Sequence, residues 1–138
     1  MKKQFGKTTD FENSLVFACS QFINYFPSCP LPDKSLVAAG LPHFSVGWAR
    51  CWGRDTFTAS DILRIYPSIF RESIIQFASA LRHGLIPNLL DEGRSPRYNC
   101  RDACWWFIKG VADYIDETKD YEILKNKVEM LFLSNDKF

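Results

Sequence analysis

The segment "IFRESIIQFASALRHG", residues 69–84, decides the fold class. Its apolar side chains recur every three or four residues, which is the spacing of one helical face. They are Phe70, Ile74, Phe77, Ala78 and Leu81. Gly84 suits the left-handed position that ends a helix, and Pro87 follows because proline cannot continue one. The segment therefore predicts an amphipathic α-helix over about residues 70–81.

Helical spacing also occurs near both ends of the chain. Asp10 is available as the N-cap of a helix over residues 11–26. The apolar face of that helix is expected to hold Phe11, Leu15, Cys19, Phe22 and Phe26. A last helix is predicted over roughly residues 120–132. The apolar residues in register there are Leu124, Val128 and Leu131.

Two further helices lie between these. One is predicted from about Thr56 to the residue before Pro67, with Thr58 and Asp61 spaced like a capping box. A strong one begins at Asp102. Since no segment alternates convincingly like a strand, the sequence predicts an all-α fold whose helices are joined by two long, aromatic-rich connections.

Length and charge limit the class of protein. A chain of 138 residues is one domain at most. Its 17 basic and 16 acidic residues form no long like-charged block, which argues against nucleic acid or an anionic membrane as partner. No apolar stretch reads as a signal peptide or a membrane span. The five cysteines are an odd number without a C-x-x-C pair, so a reducing, cytoplasmic setting is expected.

Two Arg-Asp pairs stand at the starts of predicted helices, Arg54–Asp55 and Arg101–Asp102. Either aspartate could simply be an N-cap that accepts helix N–H bonds. The two pairs nevertheless follow long connections in the same relation to their helices, so both carboxylates could face one end of a helical layer. The sequence leaves both alternatives open.

Aromatic and polar side chains surround both pairs. Trp48 and Trp52 precede the first pair, and Trp105 and Trp106 follow the second, where one of the two is expected to pack in the core. Nearby polar residues are His43, Asn88, Arg97, Tyr98 and Asn99. Indole faces pack on sugar rings, and carboxylate and guanidinium groups bind sugar hydroxyls. The combination indicates a carbohydrate ligand.

A metal site is the weaker interpretation of the cysteines. Cys100 and Cys104 are four residues apart and could act as ligands beside His83 or His43. Because no second Cys or His pair has metal-ligand spacing, neither a metal nor another cofactor is expected. The simpler alternative is that both cysteines are small, half-buried residues beside a helix start.

Three motifs carry a resemblance to a known family: "AAGLPHFSVGWARCWGRDTF", "LRHGLIPNLLDEG" and "RYNCRDACWW". From about Ala38 to Tyr114 the chain resembles the glucosidase region of the eukaryotic glycogen debranching enzymes. The resemblance implies an (α/α) toroid of the six-hairpin glycosidase type. It also implies hydrolysis of an α-1,6-linked glucose at glycogen branch points, with inversion. Glycogen or a branched α-glucan is then the expected partner, and 4-α-glucanotransferase activity is expected elsewhere in the parent.

The resemblance also implies roles for individual residues. An inverting hydrolase uses two carboxyl groups about 6.5–9.5 Å apart, and Asp102 matches the general acid. Arg54 and Asp55, with Trp52, match the clamp that holds the terminal glucose. The other expected substrate-binding residues are Asn88, Tyr98 and Arg101. A helix start and the neighbouring Arg101 should lower the pKa of Asp102, which opposes acid catalysis unless desolvation or a second carboxylate compensates. Asp55 is the alternative acid.

The chain departs from that family by its length. Five predicted helices do not complete a toroid, and the catalytic base is expected in a part that this chain does not contain. We therefore expect an N-terminal segment, residues 1–36, followed by a truncated glucosidase portion, residues 37–138, that is inactive alone. A non-catalytic glycan-binding module and a ligand-free helical scaffold are the alternatives. Oligomeric state is left open.

Overall fold

A computed structural model describes residues 9–20, 23–25, 36–38, 51–90 and 96–128. Expectations for His43, Trp48 and the other residues between these ranges lie outside the described part. Within these ranges the chain is helical apart from one pair of three-residue strands, so the predicted all-α class is confirmed. No helix there is both long and apolar enough to cross a membrane.

The predicted helix over residues 11–26 is too long. Helix α1 covers Asp10–Ser20, and strand β1, Ile23–Tyr25, pairs antiparallel with β2, Leu36–Ala38. Three-residue strands are too short to show the alternation that would announce them. Phe11, Leu15 and Phe17 of α1 are exposed and do not enter the core, and Phe11 is 71% exposed.

The first Arg-Asp pair lies inside a short helix, rather than before one. Helix α2 covers Gly53–Thr58, and a 3-10 helix, Ser60–Arg64, follows it. The expected capping box is wrong because Thr58 is the last residue of α2, and its hydroxyl donates to the Arg54 carbonyl at 2.8 Å. Side chain–backbone bonds of this kind commonly occur within helices as well as at their starts.

Helix α3, Pro67–Ser79, matches the periodic segment but ends early. The prediction that Gly84 ends this helix is wrong. Gly84 has φ 78° and follows His83, φ 49°, at the tip of a tight turn in which Arg82 and Leu85 exchange backbone hydrogen bonds at 3.0 and 2.8 Å. Two successive positive φ values are typical of two-residue hairpin turns, which explains the glycine.

Helix α4, Ala103–Thr118, is the long helix expected after Asp102. The last predicted helix is wrong in type, because Tyr121–Lys125 is a 3-10 helix. Residues 126–128 are not helical, and those from 129 onward lie outside the described part. Ile123 is buried, whereas Leu124 is 65% exposed, so the helical register inferred from Leu124 does not define the inner face.

Phe57 is the centre of the core. Its ring is fully buried and packs edge-on against Phe70, Phe77 and Phe107 at centroid separations of 6.0, 5.1 and 5.4 Å. It thereby joins α2 to both α3 and α4. Ile74 and Tyr114 are buried in the same cluster.

Gly110 allows α2 to approach α4. A Cβ atom at this position would overlap Cδ1 of Phe57 and lie 3.1 Å from its Cγ. We expect Gly110→Ala to lower the free energy of unfolding by about 1–3 kcal/mol, despite alanine's better helix propensity, because the buried ring cannot move away. Urea denaturation measures this. In a Phe57→Leu background the same substitution should cost less; an equal cost would contradict the overlap.

Asp120, just after the end of α4, connects α4 to α3 and to the second 3-10 helix; these contacts are called the Asp120 lock. Its Oδ2 accepts hydrogen bonds from Nε of Arg71 at 2.9 Å and from the hydroxyl of Tyr114 at 2.8 Å. Its Oδ1 accepts from the backbone N–H of Glu122 at 3.1 Å and so caps the second 3-10 helix. One carboxylate therefore connects α3, α4 and the following segment.

This lock predicts a pH dependence of stability. The Arg71 hydrogen bond lowers the pKa of Asp120, and the Tyr114 bond adds to this. Because the pKa of Asp120 is lower in the folded chain, its carboxylate stabilises the fold at pH values above the unfolded-state pKa of about 3.9. This stabilisation is lost as the pH falls below about 3.9 toward the folded-state pKa. We expect Asp120→Asn to flatten the fall in urea midpoint on acidification. Asp116→Asn, at an exposed position of α4, is the control; equal profiles for wild type and Asp120→Asn would contradict the lock.

Candidate functional site

Backbone hydrogen bonds bring the three sequence motifs together. The N–H of Gly53 donates to the Asn88 carbonyl at 2.6 Å, and the N–H of Leu90 donates to the Cys51 carbonyl at 3.0 Å. Leu89 in turn pairs with Arg97, whose N–H donates to the Leu89 carbonyl at 2.8 Å. Segments that are far apart in the chain therefore lie side by side just before α2 and α4 begin.

Gly53 is required by this close approach. A Cβ atom there would lie 3.0 Å from Cε1 of Phe77 and 3.0 Å from the carbonyl oxygen of Pro87. The backbone carbonyl cannot rotate away as a flexible side chain would. A larger residue would therefore push the start of α2 away from the loop that carries Asn88.

The central feature of the site is an ion pair between the two Arg-Asp motifs. Arg54 donates from Nε to Oδ2 of Asp102 at 3.1 Å and from Nη2 to Oδ1 at 2.8 Å. The two residues are 48 positions apart. Arg54 and Phe57 are one turn apart on α2, so the packing of Phe57 against α4 carries Arg54 to the start of that helix.

Two more side chains donate to the same carboxylate. The indole N–H of Trp106 donates to Oδ2 of Asp102 at 3.1 Å. The thiol of Cys100 donates to Oδ1, and its sulfur also contacts Nη2 of Arg54. The sequence predicted that one of Trp105 and Trp106 packs in the core, and that Cys100 lies beside a helix start, with a metal ligand as the weaker interpretation. The four-residue spacing of Asp102 and Trp106 was a signal for their contact, because such residues are neighbours on a helix.

These contacts fix the charge of Asp102. The hydrogen bonds from Arg54 lower the pKa of this carboxyl far below its usual range, and the Cys100 and Trp106 bonds lower it further. The hydrogen bond to Asp102 in turn raises the pKa of Cys100. Asp102 is therefore an anion when no ligand is bound. The lowering was expected from Arg101, but it comes from Arg54, while Arg101 is exposed.

The expectation that the aspartate side chains cap their helices is wrong. Asp102 occupies the N-cap position of α4, but its side chain makes no capping bond and is engaged by Arg54. Asp55 is the third residue of α2, whose N-cap is Trp52. Among the described residues, no ion pair joins Arg54 to its neighbour Asp55. The ion pair of Arg54 is instead with Asp102, at the start of another helix.

Asn88 and Tyr98, two further predicted site residues, lie in different environments. Asn88 is buried, and its Oδ1 has no hydrogen-bond partner among the described residues. The hydroxyl of Tyr98 donates to the Ala80 carbonyl at 2.6 Å and anchors the loop to the end of α3. Burial raises the pKa of this tyrosine. The Tyr98 side chain therefore anchors the loop, whereas the buried Asn88 amide oxygen is left without a partner among the described residues.

The tryptophans differ in exposure. Trp106 is half-buried and packs on the core, as expected for one of the adjacent pair. Trp105 is 72% exposed and follows Asp102 by three residues. Trp52 is half-buried beside Leu89. An exposed indole thus stands one turn from the carboxylate.

A separate surface groove of about 370 Å³ lies between the first 3-10 helix and α4. Its lining residues are Ser60, Asp61, Arg64, Lys109, Asp113, Asp116 and Glu117. None of them is aromatic, so the groove offers no face on which a sugar ring could stack. Across the described ranges, no three His, Cys, Asp or Glu side chains group as metal ligands. Cys104 instead accepts from the N–H of Ile86 at 3.4 Å.

Comparison with known proteins identifies the family of the chain. The family model described as Amylo-alpha-1,6-glucosidase matches residues 17–134. This chain belongs to the amylo-alpha-1,6-glucosidase family. The match extends on both sides of the stretch in which the motifs were found, and it includes Arg54, Asp55 and Asp102.

A similar protein from yeast shows how much of a longer chain this sequence matches. The chain is 43% identical over 145 residues to the glycogen debranching enzyme of Saccharomyces cerevisiae (strain ATCC 204508 / S288c). The match covers 100% of this chain and 9% of the yeast enzyme. The chain thus spans a small part of that relative's length.

Proposed function

We propose that this chain is the part of an amylo-alpha-1,6-glucosidase that binds the terminal glucose of an α-1,6 branch and supplies the general acid. The Arg54–Asp102 pair carries the proposal, because it joins the two motifs that the family resemblance assigns to sugar binding and proton transfer. Glycogen or a branched α-glucan is the substrate. The family match supports a glycoside hydrolase.

In this proposal Asp102 protonates the leaving oxygen, and Arg54 with Asp55 binds hydroxyls of the glucose. Guanidinium groups bind oxygen acceptors in strong, directional hydrogen bonds. Trp52 and the exposed Trp105 offer aromatic faces, Asn88 offers a buried amide oxygen, and Arg101 a further cation. The reaction is the inverting one, and Asp55 is the alternative acid.

The base is supplied from outside this chain. Asp113 lies 11 residues beyond Asp102 on α4, about 16 Å away at a helical rise of 1.5 Å per residue. That exceeds the separation of about 6.5–9.5 Å in inverting enzymes. Asp116 and Glu117 are further still. The isolated chain is therefore expected to bind glycan without hydrolysing it.

The helices form part of a larger (α/α) toroid in this proposal, with residues 37–138 in the glucosidase portion and residues 1–36 preceding it. Apolar side chains exposed on α1 and α4 support packing against further helices. They include Phe11, Phe17 and Ile108. The cytoplasmic setting expected from the cysteines belongs to the same proposal. The 4-α-glucanotransferase activity of the parent would lie outside this chain.

A non-catalytic glycan-binding module is the second candidate, because the residues proposed to bind glucose belong to this chain and the proposed base does not. Both candidates require binding. We expect a maltotetraose bearing one α-1,6-linked glucose to cause a saturable change in the tryptophan fluorescence of the chain. Asp55→Ala should lose this change, and Asp116→Asn should keep it. A flat titration of the folded wild-type chain would contradict both candidates.

A further inference from the structure

Asp102 meets every requirement of a stable anion in the ligand-free chain. It receives two hydrogen bonds from Arg54, one from Trp106 and one from Cys100. A carboxyl held in this way cannot donate a proton, since an acid catalyst must be protonated when the substrate arrives. The proposed acid and its observed surroundings are therefore in conflict.

Movement of Arg54 away from Asp102 would resolve this conflict. The side chains of Arg54 and Asp102 are each 46% exposed, so a ligand can reach the pair without opening the core. Arg54 is also the residue that the proposed function assigns to sugar hydroxyls. We infer that Arg54 is a substrate-operated switch: it binds Asp102 in the free chain and transfers to the hydroxyls of the entering glucose. The inference rests on the proposed function.

After the transfer, Asp102 keeps only the neutral donors Cys100 and Trp106. The guanidinium that lowers the pKa of Asp102 most is then removed, and the carboxyl can take a proton from solvent and pass it to the glycosidic oxygen. The other charged groups nearby do not change this direction. The hydrogen bond to Asp102 raises the pKa of Arg54 most, and the charge of Asp55 on α2 adds a smaller increase, while Arg101 is exposed. Proton transfer thus depends on prior binding of the correct sugar.

The test is a pH titration of the full chain labelled with ¹³C-aspartate, followed by carbon NMR. The Asp102 carboxyl resonance is assigned as the one that is missing from the Asp102→Asn variant. In the free chain, Asp102 should stay ionised where ordinary aspartates titrate, at a pH of about 3.9. With saturating branched maltotetraose, its titration should move upward. Arg54→Met should raise it by about 1 to 3 pH units without sugar. Arg64→Met, at an exposed arginine of the first 3-10 helix, should leave it unchanged.

Three results distinguish the possible failures. If sugar perturbs other resonances and the Asp102 titration stays where it was, the switch is refuted and the proposed function survives. If sugar perturbs no resonance of the folded chain, the proposed function fails and the inference fails with it. If Arg54→Met leaves the Asp102 titration in place, Arg54 is not the holding group and the switch is refuted. Arg54→Gln repeats this arm should the methionine variant not fold.

Discussion

Glucose release should fall by about 10²–10⁴-fold when Asp102 is replaced by Asn, the range that general acid catalysis contributes. The measurement uses a chimaera in which this chain replaces the matching segment of the yeast glycogen debranching enzyme, with glycogen trimmed to its α-1,6-linked glucose stubs as substrate. An amide accepts the Trp106 hydrogen bond as a carboxylate does, but it cannot deliver a proton. The loss should therefore appear in kcat.

Matched variants separate chemistry from folding in that experiment. Asp116→Asn makes the same chemical change at an exposed position of α4 and should retain wild-type rates. Thermal melting of Asp102→Asn reports whether losing the ion pair with Arg54 unfolds the segment. A folded Asp102→Asn chimaera that loses less than about tenfold would contradict the acid role, since general acids contribute more. Asp55 would then become the acid.

Phe57→Ala should lower the free energy of unfolding of the chain by about 3–5 kcal/mol, the usual cost of removing a buried aromatic ring. Three aromatic partners lose their contact at once, and α2 loses its attachment to α3 and α4. The ion pair between Arg54 and Asp102 should weaken too, because Phe57 holds Arg54 at the start of α4. Urea denaturation followed by far-UV circular dichroism measures the effect.

Ile108→Ala is the control for Phe57→Ala. Ile108 lies on the outer face of α4 and is 56% exposed, so its truncation should change stability by less than about 0.5 kcal/mol. If Phe57→Ala cost no more than Ile108→Ala, the ring would not be the centre of the core. The close contact between Phe57 and Gly110 would then contribute nothing to the free energy of unfolding.

The periodic helices could be predicted because their signal is local. Phe70, Ile74 and Phe77 repeat at helical spacing and are all buried in α3, and the helix after Asp102 is the α4 of the structure. Boundaries were less predictable. The pattern through Phe26 continued past Ser20, where the chain turns into strand β1, because apolar spacing alone does not say where helical backbone hydrogen bonds stop.

The candidate site shows the limit of local reasoning more sharply. The sequence places Arg54 beside Asp55, and adjacency indicated a single charge pair. In the fold the partner of Arg54 is Asp102, because Phe57 and Gly110 bring two helices together across 48 positions of sequence. Sequence periodicity predicts contacts between residues three or four positions apart, and not a contact between residues 48 positions apart. The Cys100 contact was missed for a different reason: a thiol next to a carboxylate has no sequence signature of its own.

The anomer of the first glucose released by the chimaera tests the central claim most directly. Proton NMR distinguishes α- from β-glucose before mutarotation mixes them. An α-1,6 bond cleaved with inversion by Asp102 and a base from the rest of the enzyme must yield β-glucose. We expect β-glucose from the chimaera and release that is slower by about 10²–10⁴-fold from its Asp102→Asn variant. Release of α-glucose, or equal release from both proteins, would contradict the account.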